Sequence, residues 1–198
     1  MRNMFFVAAL LLALPIIASA QDEAPRVEIF GGYSYLRLDN ATSPNERDLN
    51  GFNTSFTTNF NQWLGFTAEF SGHFGTTTVA GTTADLNTYF VAAGPRLAFR
   101  RFERFTPYVH VLAGMARLDM GTNSSSSSST TTSISTSNSG IALIAGGGVD
   151  ANVKSKIAVR LFQADYILTR FNNQTAATSL NQSNFRASTG VVVKLGEQ

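Results

Sequence analysis

Between residues 49 and 75 the chain alternates apolar and polar side chains with a period of two. Phe52, Thr54, Phe56, Thr58 and Phe60 fall on one parity, and Asn53, Ser55, Thr57 and Asn59 on the other. After Asn61-Gln62 the pattern resumes, with Leu64, Phe66, Ala68, Phe70 and Phe74 set against Gly65, Thr67, Glu69, Ser71 and His73. Alternation sustained over about ten residues marks a strand with one face in hydrocarbon and the other in a polar medium. Two such runs joined by a two-residue polar turn predict a β-hairpin. Strands of this length with a Phe-rich face can cross a bilayer when tilted.

The same rule places six more strands. Residues 26–38 set Val27, Ile29, Gly31, Tyr33 and Tyr35 against Glu28, Gly32 and Ser34. Residues 86–100 form the fourth strand, in which Pro95 removes a ladder donor and predicts a local bulge. Residues 107–118 and 140–153 follow, with Val109, Val111, Ala113 and Met115, then Ile141, Leu143, Ala145, Gly147, Val149, Ala151 and Val153, facing outward. The seventh strand starts with Ile157, Val159 and Leu161 outward and ends with Phe162, Ala164, Tyr166 and Leu168 outward. Such a one-residue change of parity is the signature of a β-bulge. The eighth sends Phe185, Ala187, Val191, Val193 and Leu195 outward and Arg186, Ser188, Gly190 and Lys194 inward. Polar loops at 39–48, 76–85, 119–139 and 171–183 alternate with short turns. The segment 119–139 is low-complexity Ser/Thr, expected to be an extracellular loop that is disordered or loosely extended. The fold class predicted is all-β: an eight-stranded antiparallel up-and-down transmembrane β-barrel, closed because an open edge in lipid would leave backbone groups unpaired.

Arg2, an apolar run over 4–17 and Ala18-Ser19-Ala20 predict a signal peptide at residues 1–20, leaving 21–198 as the barrel domain. The alternative, a helical anchor, is disfavoured because the run is too short to span a bilayer. The expected address is the bacterial outer membrane, after export through the inner membrane and cleavage of the leader. There is no cysteine, which excludes disulfides and thiolate metal sites. Fifteen Lys and Arg against thirteen Asp and Glu give no electrostatic footprint for nucleic acid.

The inward parity carries Glu28, Glu69, Asp150 and Asp165 against Arg96, Arg160, Arg186 and Lys194. Symmetry about the connections pairs Asp150 with Arg160, Asp165 with Arg186 and Glu69 with Arg96. Glu28 and Lys194 are left to meet where the first and last strands close the barrel. An interior this narrow has room for side chains and little else, so balanced charges predict a filled lumen. The alternative is a small-solute conduit, which would be lined by an excess of one sign. Arg37, Arg117 and Arg170 lie on the outward parity at the far ends of three strands. They either contact lipid phosphates, lipopolysaccharide among them, or mark where hydrocarbon ends. The histidines are His73 and His110; a hydrolase would pair His73 with Ser71 and either Glu69 or Asp85. That reading is disfavoured, as is a secreted ligand carrier with its faces inverted. Gly146-Gly147-Gly148 lacks the helix and lysine of a phosphate-binding loop and suits close packing of bulky neighbours instead.

The run Gly31-Gly32-Tyr33-Ser34-Tyr35, then Gly94-Pro95-Arg96 and Gln163-Ala164-Asp165-Tyr166, resembles the small eight-stranded outer-membrane β-barrel family, which includes the transmembrane domain of outer-membrane protein A. The resemblance implies a monomeric structural or surface-interaction protein without cofactor or enzymatic activity, embedded in outer-membrane lipids and inserted by the barrel-assembly machinery. Family members usually end on an aromatic residue read by that machinery. Here the sequence closes Val193-Lys194-Leu195-Gly196-Glu197-Gln198, so less efficient recognition is expected. With no peptidoglycan-binding segment after the barrel, the resemblance implies no cell-wall tether.

Overall fold

The computed structural model describes residues 25–39, 47–79, 82–124, 132–171 and 180–197. The predicted leader at 1–20 lies outside them. Eight strands follow one another: β1 (Pro25–Asp39), β2 (Arg47–Asn59), β3 (Leu64–Val79), β4 (Thr82–Ala98), β5 (Phe105–Ser124), β6 (Thr132–Lys154), β7 (Ile157–Phe171) and β8 (Leu180–Glu197). Each pairs antiparallel with its neighbour in sequence, and β1 pairs with β8, closing the barrel. Closure satisfies the backbone of every strand and removes both sheet edges.

The two ends differ. At the turn end, β2–β3, β4–β5 and β6–β7 are joined by short connections, and the Pro25 end of β1 meets the Glu197 end of β8. The first of these connections spans residues 60–63, longer than the two-residue turn expected; Phe60 N donates to Leu64 O, and Asn61 Oδ1 accepts from Trp63 N and Leu64 N. At the loop end the strands run further than the alternation indicated. The expected loop at 76–85 is paired ladder, with Thr76 opposite Asp85 and Val79 opposite Thr82. Likewise β5 and β6 climb into the Ser/Thr segment, where Asp119 faces Ser137 and Ser124 faces Thr132. Backbone pairing does not require apolar side chains, so a polar composition there hides strand. Residues 125–131 of that segment are outside the described residues.

Pro95 does not create a bulge. Ala93 faces Ala113 and Arg96 faces His110 at one constant offset, and Pro95 itself lies opposite Phe66. The register is irregular where the parity changes and again between Asn152 and Lys154, next to the β6–β7 turn. The register shifts between Val149 and Asp150 on β6 and between Arg160 and Gln163 on β7, and Leu161 and Phe162 both face outward.

The outer surface is a belt of exposed apolar side chains, including Ile29, Phe56, Phe70, Val91, Val111, Leu143, Leu168 and Val191. Phe60, Trp63, Phe99, Phe102 and Phe105 ring its turn end, and Tyr33, Phe74, Tyr166 and Phe185 are exposed on the same outer surface. An apolar band flanked by aromatic girdles is how a barrel meets a bilayer and its two interfaces.

Candidate functional site

The interior is built in two storeys. Towards the loop end it is aliphatic and aromatic: Leu36, Leu38, Leu49, Leu86, Phe90, Leu112, Ile144 and Ile167 are buried together, with Leu118 and Met120 packed against them. Below this plug, through the middle of the barrel and down to the turn end, the lumen carries the charged groups, which pack around a small apolar cluster of Phe30, Ala158 and Val192.

The charged storey contains two clusters. In the lower one Glu28 accepts from Arg96 Nη1 at 2.7 Å and from Arg100 Nη2 at 2.5 Å. The other arm of Arg96, Nη2, donates to Asp150 Oδ2 at 3.0 Å. Asp150 is held in turn by Arg160, whose Nε reaches Oδ1 at 2.8 Å and whose Nη2 reaches Oδ2 at 3.2 Å. Tyr108 lies between the two arginines, its ring centre 4.0 Å from Arg96 Cζ and 4.6 Å from Arg160 Cζ. In the upper cluster the fully buried Arg186 donates from Nη2 to Glu69 and Asp165, both at 2.5 Å, and from Nη1 to Ser71 Oγ at 3.0 Å. His110 Nε2 lies 2.9 Å from Asp165 Oδ1.

Gln163 joins the clusters. Its Oε1 accepts from Arg160 Nη1 at 2.6 Å and from Tyr108 Oη at 2.8 Å, while its Nε2 donates to Asp165 at 2.7 Å and Glu69 at 3.3 Å. Two inward glycines make this crowding possible. A Cβ on Gly146 would lie 2.1 Å from Asp165 Oδ1, and one on Gly148 would lie 2.8 Å from Tyr108 Oη. Charges taken so far from water are tolerable only when paired and hydrogen-bonded on most sides, which this arrangement achieves.

All eight charged residues singled out on the inward parity point into the lumen, but not all meet the expected partners. Asp150 faces Arg160, and Asp165 faces Arg186, in the ladder and through their side chains. Glu69 does not meet Arg96. It lies opposite Ala92, and Arg96 opposite Gly65, because the β3–β4 ladder is symmetric about the middle of 76–85, and mirroring Glu69 about that point gives Ala92, four positions short of Arg96. Arg96 instead reaches across the barrel to Glu28 and Asp150. Glu28 and Lys194 are direct register partners at the closing seam, yet their side chains part: Glu28 is taken by the two arginines, and Lys194 Nζ donates to Asn152 Oδ1 at 2.6 Å. Arg100, Gln163 and Tyr108 were missed. Arg100 closes the strand expected at 86–100 on the same parity as Arg96, so the alternation could have found it, and the other two are uncharged.

His73 is not brought to a carboxylate. Its Nε2 lies 2.9 Å from Ser34 Oγ, which accepts from Ser188 Oγ at 3.0 Å, and the ring meets Phe90 edge-on. Ser71 and Glu69 are engaged by Arg186, and Asp85 is exposed, so the His73–Ser71–acid grouping of a hydrolase does not assemble. Among the described residues no group of three or more His, Asp or Glu could hold a metal. Arg37, Arg117 and Arg170 all face outward near the loop end. Arg117 and Arg170 flank β6, opposite Ser139 and Ile141, and Arg117 Nε is bound to its neighbour Asp119 at 3.0 Å. Arg37 lies on β1, opposite Asp48 in the ladder.

A family model described as outer membrane protein beta-barrel domain matches residues 6–192. None of the curated proteins matches the sequence. Among solved structures, Ail, the attachment invasion locus protein of Yersinia pestis, in complex with the heparin analogue sucrose octasulfate, is 20% identical; the match covers 85% of this chain and 97% of that one with a TM-score of 0.60. Neisserial surface protein A is 15% identical, over 88% of this chain and 100% of that one, with a TM-score of 0.63. At these identities the likeness is one of fold.

Proposed function

Because the chain belongs to the outer membrane protein β-barrel domain family, whose address is the bacterial outer membrane, we propose that it is a structural, surface-presenting barrel with a closed lumen. The two-storey filling of the interior carries this reading. A hydrated ion entering from the loop end meets Leu36, Leu49, Leu86, Leu112 and Ile144, each almost wholly buried and packed in one cluster. Below them a selective conduit would need an excess of one sign, whereas the central arginines are bound to carboxylates. In outer-membrane barrels short turns face the periplasm and long loops the exterior. On that orientation the Ser/Thr-rich tops of β5 and β6 project from the cell. Liposomes carrying the refolded protein should admit small sugars and amino acids no faster than empty ones. Swelling that scales with the protein would overturn the closed-lumen reading.

The outward arginines Arg37, Arg117 and Arg170 are proposed to contact phosphates of the outer-leaflet lipid. Arg170 supports this best, because it borders an outward hollow of about 430 Å³ together with Met115 and Ile141, which would seat acyl chain beside the phosphate. Lipopolysaccharide titration of an Arg37→Gln/Arg117→Gln/Arg170→Gln variant is expected to show weaker binding, and unchanged affinity rejects the contact. Insertion by the barrel-assembly machinery as a monomer, after loss of residues 1–20, completes the proposal. N-terminal sequencing of the outer-membrane fraction checks the cleavage.

A further inference from the structure

We propose that the turn end of the barrel is a binding cup for a small soluble anion bearing two or more phosphate or carboxylate groups. The argument starts from the charge balance of the lumen. Glu28, Glu69, Asp150 and Asp165 are matched by Arg96, Arg100, Arg160 and Arg186, with Arg100 in the place that the alternation pattern assigned to Lys194. Lys194 is therefore a surplus cation. It is half-buried and forms no ion pair among the described residues, and its ammonium has a neutral partner, the Asn152 side-chain oxygen.

Lys194 does not stand alone. It borders a cavity of about 740 Å³ that opens at the turn end, lined also by Arg100, Lys154, Lys156, Thr106 and Asn152. Lys154 and Lys156 form no ion pair among the described residues, and Glu103 is the one carboxylate in the lining. Three lysines thus face the pocket, beside an Arg100 that Glu28 already neutralises, with one acid in the lining. Its polar floor is made by Thr106 and Asn152, whose side-chain amide donates to Glu103 O and Thr106 Oγ1 and so braces the lining beneath the charges. Lysine ammoniums are mobile point charges, which suits phosphate or carboxylate oxygens presented in more than one geometry. The walls also confine the field that several like charges produce, raising the local concentration of counter-ions. Thr106, Asn152 and Lys194 lie on the inward parity, away from the bilayer, so the ligand is soluble and not a lipid headgroup. The periplasmic side of the cup rests on the orientation proposed above, whereas binding is read on the purified barrel whichever way it inserts.

Tripolyphosphate titrated into the refolded barrel in zwitterionic detergent at low salt, followed by calorimetry and by amide shifts, is the test. One saturable site is expected, with shifts centred on Thr106, Asn152 and Lys194. Lys156→Gln/Lys194→Gln should bind about tenfold or more weakly while keeping heat-modifiable mobility. Arg117→Gln/Arg170→Gln, at the far end, should bind like the parent. Equal binding by the parent and the lysine variant, or non-saturable uptake, overturns the site. Displacement of tripolyphosphate by phosphatidylglycerol in nanodiscs overturns its assignment to a soluble ligand.

Discussion

Gln163 has more consequence than its neutrality suggests. It sits just after the bulge and is 1% exposed, and it is the one amide that bridges the Asp150–Arg160 cluster and the Asp165–Arg186 cluster. Gln163→Leu would leave Tyr108 Oη and one arm of Arg160 without an acceptor, at a cost of about 1–3 kcal/mol per stranded group. Urea unfolding of the refolded barrel in vesicles should show that loss. The seam makes a second residue-scale prediction. Because Glu28 is bound by Arg96 and Arg100, a double-mutant cycle between Glu28 and Arg96 should give a coupling of more than about 1 kcal/mol. The Glu28–Lys194 cycle should give less than about 0.5 kcal/mol despite their facing positions. A larger coupling at the seam would mean that Lys194 turns from Asn152 to the carboxylate. Parity was enough to identify which charges enter the lumen. It could not say which meet, because an arginine side chain spans a narrow barrel and chooses its partner across the lumen as readily as along the ladder.

At the scale of the strand, the bulge in β7 is the feature that orders the lumen. Ile157–Arg160 and Gln163–Asp165 are on opposite parities, and the extra outward residue at Leu161-Phe162 absorbs the switch, so that Arg160, Gln163 and Asp165 all face inward. Deleting Leu161 should merge the two halves of β7 into one uninterrupted alternation and leave a heat-modifiable species on gel electrophoresis. Deleting Ala164, inside the regular run, should send the residues beyond it to the wrong face and abolish that species. This feature was legible because two apolar residues in succession interrupt a strict alternation. The strand ends at the loop side were not, since Thr, Ser and Asn pair through their backbones without any alternation to betray them. Those extensions lie beyond the apolar belt. Replacing 121–138 with a short Gly-Ser turn is therefore expected to leave a folded, heat-modifiable barrel; failure to assemble would give the Ser/Thr hairpin a structural role.

For the whole molecule, the filled lumen unites the fold with the proposed role, and half of it escaped the pattern. The inward positions of the loop-end storey are Leu36, Leu38, Leu49, Leu86, Phe90, Leu112, Ile144 and Ile167. In several places their outward neighbours are apolar too, as with Leu143 beside Ile144 and Leu168 beside Ile167, so the period-two signal cancels where the plug is densest. A soluble protein would place such residues in an ordinary core; here they form a core inside a barrel whose other face meets hydrocarbon. The plug closes one end, the arginine–carboxylate storey fills the middle, and the cationic cup remains open at the other end. Single-channel recording in planar bilayers tests the closed lumen most directly. The purified barrel should insert without producing discrete current steps at moderate voltage. Reproducible ohmic steps of one size from the parent protein would contradict the account.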